Sequence, residues 1–331
     1  MSPLPSVSVI IVNYNGERII QHCLASVLQS DYPHFEVLVI DNCSSDNSLR
    51  QIEPYRTDLR VKLIVNERNL GFAEGCNQGA RNASGRYLFF LNNDTEVTKD
   101  AISRLVSLLA LNPLAGAAQS KLLLLNDRSR LDSAGDTVST IGWPTPLGKY
   151  EIDLGQFDSG REVFSGRGAA LMVPKAVFEE VGGFDSDYFM YYEDVDLSWR
   201  IRLRGYLIAF APQSIVYHLA GSGRSGKFSE SLYSGRNYIA TLVKNLELRN
   251  LLVYGSAHIV VHLATVLFYL SKRRTHEALG MILALFEVVE HFPSIWRKRV
   301  AVQRMRLVSD ERILAYAQRP SLSEYLMRHV K

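Results

Sequence analysis

Three short apolar runs, each stopped by asparagine or aspartate, constrain this chain more than any other feature. Val7-Ser8-Val9-Ile10-Ile11-Val12 runs into Asn13-Tyr14-Asn15-Gly16, Phe35 to Ile40 ends at Asp41-Asn42, and Arg86 to Leu91 ends at Asn92-Asn93-Asp94. A further apolar run covers Val61 to Val65. Segments this continuously apolar read as strands buried on both faces. Helical spacing fills residues 17–29 and several of the other gaps. The alternation predicts an α/β domain with a mostly parallel central sheet flanked by helices. Ligands of such sheets sit beyond the carboxyl ends of the strands. Asn13 and Asn15, Asp41 and Asn42, and Asn92, Asn93 and Asp94 are therefore expected to face one crevice.

Downstream, residues 126–165 read as loops and short strands, and 166–173 as a return to the sheet. Helices are expected near 175–181 and 194–204, short strands at 207–210 and 215–217, a flexible turn over His218–Gly223, and helix from about 228 onward. We divide the chain into a catalytic-type domain, 1–227, and a helical C-terminal region, 228–331. Within the first lies GFDSDYFMYYEDVDLSWRIRLRG, residues 183–205. Asp194 and Asp196 fall where an aromatic-rich loop becomes a helix. A carboxylate there suits a general base acting on a sugar hydroxyl, with aromatic faces to hold the ring. Acidic residues also simply favour a helix's first turn, and the residues alone leave both readings open.

The segments VSVIIVNYNG, VLVIDNCSSDNS, NLGFAEGCNQG, LNNDTEV and GGFDSDYFMYYEDVDLSWRIRLRG followed by YH, in that order, resemble the family 2 inverting glycosyltransferases, most nearly their bacterial rhamnosyltransferase-like branch. The resemblance covers roughly the first two thirds of the chain. It implies the GT-A fold, that of nucleotide-diphospho-sugar transferases, and transfer of a sugar, with rhamnose the candidate, from a nucleotide-diphosphate donor to a lipid-linked or polysaccharide acceptor. On matching positions it makes Asp194 the catalytic base and Asp41 a contact of the nucleotide base. It lays Asn69, Gly71, Phe72, Gly75 and Asn77 along the nucleotide, with Asn13, Asn15 and Asn93 also on the donor side. It gives Asp94 and His218 to a divalent metal, Mg2+ or Mn2+, and Glu193 and Trp199 to the acceptor, although Trp199 reads equally well as core. Arg167 has a phosphate contact or a surface position open to it. Asn92 departs from the family's D-x-D pattern, which bears on metal affinity.

Charge divides the chain. Residues 1–217 carry 20 basic and 26 acidic side chains, and 218–331 carry 17 and 8. A basic tail on an acidic body suggests a polyanionic partner. No nucleic-acid motif accompanies it, so an anionic membrane surface is the expected partner. Leu251–Leu270 and Ala278–Trp296 are strongly apolar, but His258 and His262 interrupt the first, and Glu287, Glu290 and His291 the second. Spanning would place Lys272-Arg273-Arg274 against the positive-inside tendency. Helices lying in the interface fit better, with soluble packing or a homodimer as alternatives. Cys23, Cys43 and Cys76 lack metal-ligand spacing and read as free thiols in a reducing compartment. The N-terminus has no basic segment ahead of its apolar run, so we expect a cytoplasmic protein, peripheral on the inner face of the cell membrane. Two other classes bear mention. A non-catalytic membrane-associated scaffold on the same fold takes its support from Asn92. A Rossmann oxidoreductase lacks its glycine-rich turn, because NYNGER follows the first strand.

Overall fold

The computed structural model describes residues 4–139, 144–160, 162–219, 226–315 and 317–318. The elements run β1 (Val7–Asn13), α1 (Ile20–Leu28), β2 (Phe35–Asp41), α2 (Ser48–Ile52), β3 (Val61–Val65), α3 (Gly71–Asn82), β4 (Tyr87–Asn92), β5 (Thr95–Val97) and α4 (Ala101–Leu111). There follow β6 (Ala115–Leu124), β7 (Asp127–Ser133), β8 (Asp136–Ser139), β9 (Pro144–Pro146), β10 (Glu162–Val163), β11 (Ala170–Pro174), α5 (Lys175–Glu180), α6 (Glu193–Leu203) and β12 (Leu207–His218). The C-terminal helices are α7 (Lys227–Asn245), α8 (Leu248–Asn250), α9 (Ser256–Ser271), α10 (Thr275–Glu290), α11 (Phe292–Met305) and α12 (Asp310–Leu314), and β13 is Ala317–Gln318.

A large sheet has the order β10-β12-β6-β11-β4-β1-β2-β3, with β5 on β12 and β7 on β6. Strands β4, β1, β2 and β3 pair in parallel. Beyond them β11 runs antiparallel to β4 and β6, while β12 is parallel to β6. The sheet is thus parallel in its N-terminal half and mixed beyond. Alternation within β1 sends residues to opposite faces. Val7, Val9 and Ile11 join Ile20, Leu24 and Leu105 of α1 and α4 on one side. Ile10 and Val12 join Ala73, Cys76, Phe178 and Leu197 of α3, α5 and α6 on the other. Each Val, Leu, Ile or Phe among them contributes roughly 1.5–3 kcal/mol on burial.

Two expectations change. The strands expected at 207–210 and 215–217 are one strand, β12, whose register slips between Ala211 and Ile215 where Pro212 lies; proline cannot donate to a ladder, so the irregularity falls there. β6 lies in the middle of the sheet although its small residues, AGAAQ, gave no strand signal. The turn expected over His218–Gly223 lies in part outside the described residues.

Helix α7 lies against α6, α10 and α11, and two mixed clusters join the halves of the chain. Val195, Trp199 and Leu203 of α6 pack with Tyr238, Leu242, Leu246 and Val302, and Tyr188 packs with Ile239, Val243, Val288 and Ile295. The first apolar segment belongs to a helical stretch, Leu248–Ser271, long and apolar enough to cross a membrane by length and composition. The second is broken, with α10 and α11 meeting at a bend of 69°. His258 and His262 turn inward and are buried, and Glu287 pairs with Arg236 of α7 at 2.8 Å.

Candidate active site

The parallel pairing puts Asn13 opposite Asp41 and Val12 opposite Asn92, so three strand ends meet at one edge. Asn13 Nδ2 donates to Asp41 Oδ1 at 2.8 Å, and Asn93 Nδ2 donates to Asn13 Oδ1 at 2.8 Å. Asp41 also accepts from the Ser44 hydroxyl and amide, at 2.7 and 2.9 Å. Asn13 and Asp41 are fully buried, so Asp41 first of all orders its own loop, with lone-pair capacity left over. Asn15, left-handed at φ 51°, accepts from the Ser45 amide at 2.8 Å, tying the loops after β1 and β2 together.

The NLGFAEG segment forms the start of α3. Asn69 Oδ1 accepts from the Gly71 amide at 2.9 Å, and Asn42 Nδ2 donates to the Gly71 carbonyl at 2.9 Å. Gly71 has φ 81°, and a Cβ there would sit 2.5 Å from the Phe189 carbonyl oxygen. Only glycine combines this backbone with that approach. Phe189 O in turn accepts from the Phe72 amide at 2.6 Å. Gly75 lies against Val12, where a Cβ would approach to 2.9 Å, which makes it a helix–strand contact. Asn77 straps Phe184, donating to its carbonyl at 2.8 Å and accepting from its amide at 2.9 Å. The geometry gives Gly75 and Asn77 scaffold tasks.

Asp194 stands in the first turn of α6. Its Oδ2 accepts from the Gly168 amide at 3.0 Å and its Oδ1 from the Val195 amide at 2.8 Å. Burial pushes its carboxyl above the usual carboxylate range; the Gly168 N–H opposes the rise, Asp136 adds to it and Arg167 counters it. Glu193 beside it is 6% exposed, with Oε2 making no hydrogen bond. Burial, then the Asp194 charge, raises the Glu193 pKa well above normal. Trp199, one of the two residues expected at the acceptor, is core: it is fully buried and meets Phe164 edge-on with ring centres 5.2 Å apart. Tyr238 and Leu242 of α7 share its apolar cluster, which decides for core between the two readings open to Trp199. Asp196 is likewise withdrawn, bound to Arg200, Lys244 and Asn245 at 2.9, 2.9 and 2.8 Å.

At the end of β12, His218 Nε2 lies 3.3 Å from Asp94 Oδ1 and 3.5 Å from Asn92 Nδ2, and Nδ1 lies 2.8 Å from Asp132 Oδ2. Burial disfavours charge on His218, but its bonds to Asp132 and Asp94 outweigh this and raise its pKa to about 9. Among the described residues no group of three or more His, Cys, Asp or Glu side chains stands ready to hold a metal ion. The donor set, a carboxylate and an imidazole whose far nitrogen is oriented by a second carboxylate, fits a divalent cation that the protein would hold only in part.

Sequence reasoning missed Asp132 and Asp136. Arg167 Nε bonds Asp136 Oδ1 at 3.1 Å. Burial works against its charge, but Asp136, Asp132 and Asp194 outweigh it. Contacts join Asp94, His218 and Asp132 on one side and Arg167 and Asp136 on the other, and the Arg167 charge is close enough to act on both Asp132 and Asp194. Only the acidity of Asp132 and Asp136, in a stretch read as loop, hinted at this.

Residues 8–128 match the family model described as Glycosyl transferase family 2. The chain is 29% identical over 238 residues to the O-antigen biosynthesis protein RfbC of Myxococcus xanthus, covering 69% of this chain and 18% of that protein. It is 29% identical over 216 residues to the poly-beta-1,6-N-acetyl-D-glucosamine synthase of Staphylococcus epidermidis, covering 64% and 50%. The chain therefore spans half or less of the length of these relatives. Among solved structures, GalNAc-T7 with UDP, GalNAc and Mn2+ superposes with a TM-score of 0.59 at 19% identity, over 74% of this chain and 48% of that one. The mannosyltransferase PcManGT from Pyrobaculum calidifontis, in complex with GDP-Man and Mn2+, gives 0.56 at 19% identity, over 87% and 76%. S. aureus TarS 1-349 gives 0.51 at 20% identity, over 73% and 67%. These likenesses establish the GT-A fold. The family match itself is confined to residues 8–128, in the parallel half of the sheet and the start of its mixed half.

Proposed function

We propose that this chain is an inverting glycosyltransferase that moves a sugar, rhamnose in the branch it most resembles, from a nucleotide-diphosphate donor to a hydroxyl of a lipid-linked or polysaccharide acceptor. The observation that carries the reading is Asp194, held by two backbone N–H groups, with the Arg167 charge acting both on it and on Asp132, the carboxylate that orients His218 of the Asp94–His218 pair. Asp194 takes the acceptor hydroxyl proton as that oxygen bonds to the anomeric carbon. The bond from this carbon to the diphosphate oxygen breaks on the opposite face, and the nucleoside diphosphate leaves with its electron pair. Asp94 and His218 are the residues that would hold a Mg2+ or Mn2+ ion, and such an ion would supply charge neutralisation for that leaving group. Glu193, whose carboxyl burial pushes above the usual carboxylate range, stands next to Asp194 on the acceptor side. Asp41, Asn13, Asn15, Asn69 and Asn93 shape the donor side, where Gly71 and Phe72 bring the start of α3 to the nucleotide.

The assay is release of nucleoside diphosphate with donor, cation and acceptor present. A positioned general base contributes typically ~10²–10⁴-fold, so Asp194→Asn should lose about that much while still binding nucleotide. Equal rates for the two proteins would remove Asp194 as the base. Asn92, at the position of the usual first aspartate, favours a second reading, a non-catalytic scaffold on this fold. Donor-dependent thermal stabilisation without turnover across a broad acceptor panel would select it.

We also propose that the C-terminal helices rest on an anionic membrane surface at the inner face of the cell membrane, with residues 1–227 above it. Leu263, Leu267, Phe286 and Val289 are 49, 67, 66 and 74% exposed, and Lys272, Arg273 and Arg297 are exposed nearby in the chain. Such a combination suits the lipid interface. The protein should co-sediment with vesicles containing phosphatidylglycerol and much less with pure phosphatidylcholine. A stable dimer in solution with no vesicle binding would instead make this face a contact between copies.

A further inference from the structure

The loop that leads into Asp194 holds an unusual amount of backbone strain. Phe189, Tyr191 and Tyr192 all have left-handed φ, at 61, 68 and 67°. Phe189, with ψ −62°, closes a tight γ-turn in which the Met190 amide donates to the Tyr188 carbonyl at 2.6 Å. Such conformations cost of order 1–3 kcal/mol each and persist only where the surroundings over-determine them. The loop also faces both halves of the site, because the Phe189 carbonyl meets the Phe72 amide at the start of α3 and Tyr192 directly precedes Glu193 and Asp194.

One side chain outside the loop holds it. Asn237, on α7 and 1% exposed, directs Nδ2 at three loop carbonyls, those of Tyr188, Met190 and Tyr191, at 2.9, 2.9 and 2.8 Å. Its own Oδ1 accepts from Arg236 Nε at 2.9 Å, which fixes the orientation of the amide. Arg236 adds a bond from Nη2 to the Asp187 carbonyl at 2.9 Å and is itself held by Glu287 of α10 at 2.8 Å. A primary amide suits the task, because it presents donors to converging carbonyls without adding charge. Aspartate at this position presents only oxygens once ionised.

We propose that Asn237 is a positioning residue for the transfer reaction, setting the 188–192 loop so that Asp194 and the start of α3 keep their spacing. The inference rests on the reading of Asp194 as general base. Arg236 and Glu287 extend the same support into α7 and α10, so these helices help to build the site in addition to any contact they make outside it.

The test is a double-mutant cycle on donor turnover in the full chain. Asn237→Ala should lower kcat about 100-fold, leave the donor KM within about threefold, and have almost no further effect in an Asp194→Asn background. Arg236→Lys, at a more exposed position, should lower kcat about tenfold with the same KM pattern, and it decides the matter if Asn237→Ala does not fold. A folded Asn237→Ala with unchanged kcat would overturn the proposal. So would a loss that persists in full on Asp194→Asn, since that is general damage to the fold. If Asp194→Asn alone turns over like wild type, the reading of the base fails. Amide hydrogen exchange then judges the clamp separately: faster exchange confined to 187–193 in Asn237→Ala upholds it, and unchanged exchange removes it.

Discussion

Replacing Lys244 by methionine should be among the most damaging single changes outside the site. Lys244 is 2% exposed, with its ammonium 2.5 Å from Asp185, 2.9 Å from Asp196 and 4.4 Å from the centre of the Tyr188 ring. Methionine fills nearly the same volume, so the cavity contribution is small. What remains is two buried carboxylates that have each lost a cation. Removing one member of a buried pair costs ~3–5 kcal/mol. Asp196 keeps Arg200 and Asp185 keeps Lys298, which favours the lower end, near ~3 kcal/mol. At roughly 2 °C per kcal/mol for a chain of this size, Tm should fall about 6 °C near pH 7. Lys298→Met is the control: Lys298 also reaches Asp185, but its side chain is 34% exposed, so its loss should cost only about 1 kcal/mol. The acid dependence gives a second check. Burial would raise the Asp185 and Asp196 pKa values, but Lys244, with Lys298 or Arg200, outweighs it and holds both below normal. Their stabilisation is present above the unfolded value of about 3.9 and is lost as pH falls through the folded values. Without Lys244 both carboxyls rise, so the gap in Tm between wild type and variant should narrow from pH 7 toward pH 4. Calorimetric scans at several pH values read this directly. A gap that is constant with pH, or equal losses for Lys244→Met and Lys298→Met, would refute the electrostatic account.

Gly71→Ala should cost at least about 2 kcal/mol, because alanine pays for the left-handed backbone and its methyl meets the Phe189 carbonyl; urea unfolding measures it, and a cost under 0.5 kcal/mol would contradict the geometry. Glu193→Gln should flatten the pH dependence of stability. Burial raises the wild-type carboxyl, so the folded state holds its proton more tightly than the unfolded chain, and stability falls as pH rises from the ordinary glutamate value through the raised one. Melting curves that run parallel for the two proteins from pH 4 to 8 would remove Glu193 as that group. Trp199→Phe should lower stability by roughly 1–3 kcal/mol while leaving the acceptor KM within twofold; a large rise in that KM would return Trp199 to the acceptor site.

The sequence disclosed those parts of the fold in which local pattern and tertiary burial agree. Val7–Val12, Phe35–Ile40 and Val61–Val65 are apolar enough to announce strands, and the polar residues ending β1, β2 and β4 lie at one sheet edge. β6 was invisible because Ala115-Gly116-Ala117-Ala118 has little β propensity; its place depends on β11 and β12 flanking it. Trp199 was ambiguous because burial on one side of α6 depends on α7, which follows 24 residues after α6 ends. The partners of the candidate base and metal residues were illegible for the same reason: Asp132 meets His218 across 86 residues and Asn237 meets Tyr191 across 46. Motifs name the residues that touch ligands, whereas the groups that orient them carry no local signature.

This separation bears on how the two regions relate. A boundary at residue 227 follows the composition and the end of the mixed sheet, but energetically nothing parts there. Trp199 and Leu203 share one apolar cluster with Tyr238, Leu242 and Val302. Lys244 and Asn245 satisfy the buried Asp196, and Asn237 holds the loop before Asp194. Left without α7, helix α6 would expose an indole and an aspartate together, a combination that neither water nor a core accommodates well. The strain at Phe189, Tyr191 and Tyr192 would lose the contacts that maintain it. The catalytic-type fold is therefore complete as a topology at β12, while the geometry of its acidic edge is completed only by helices that the family match over residues 8–128 does not reach.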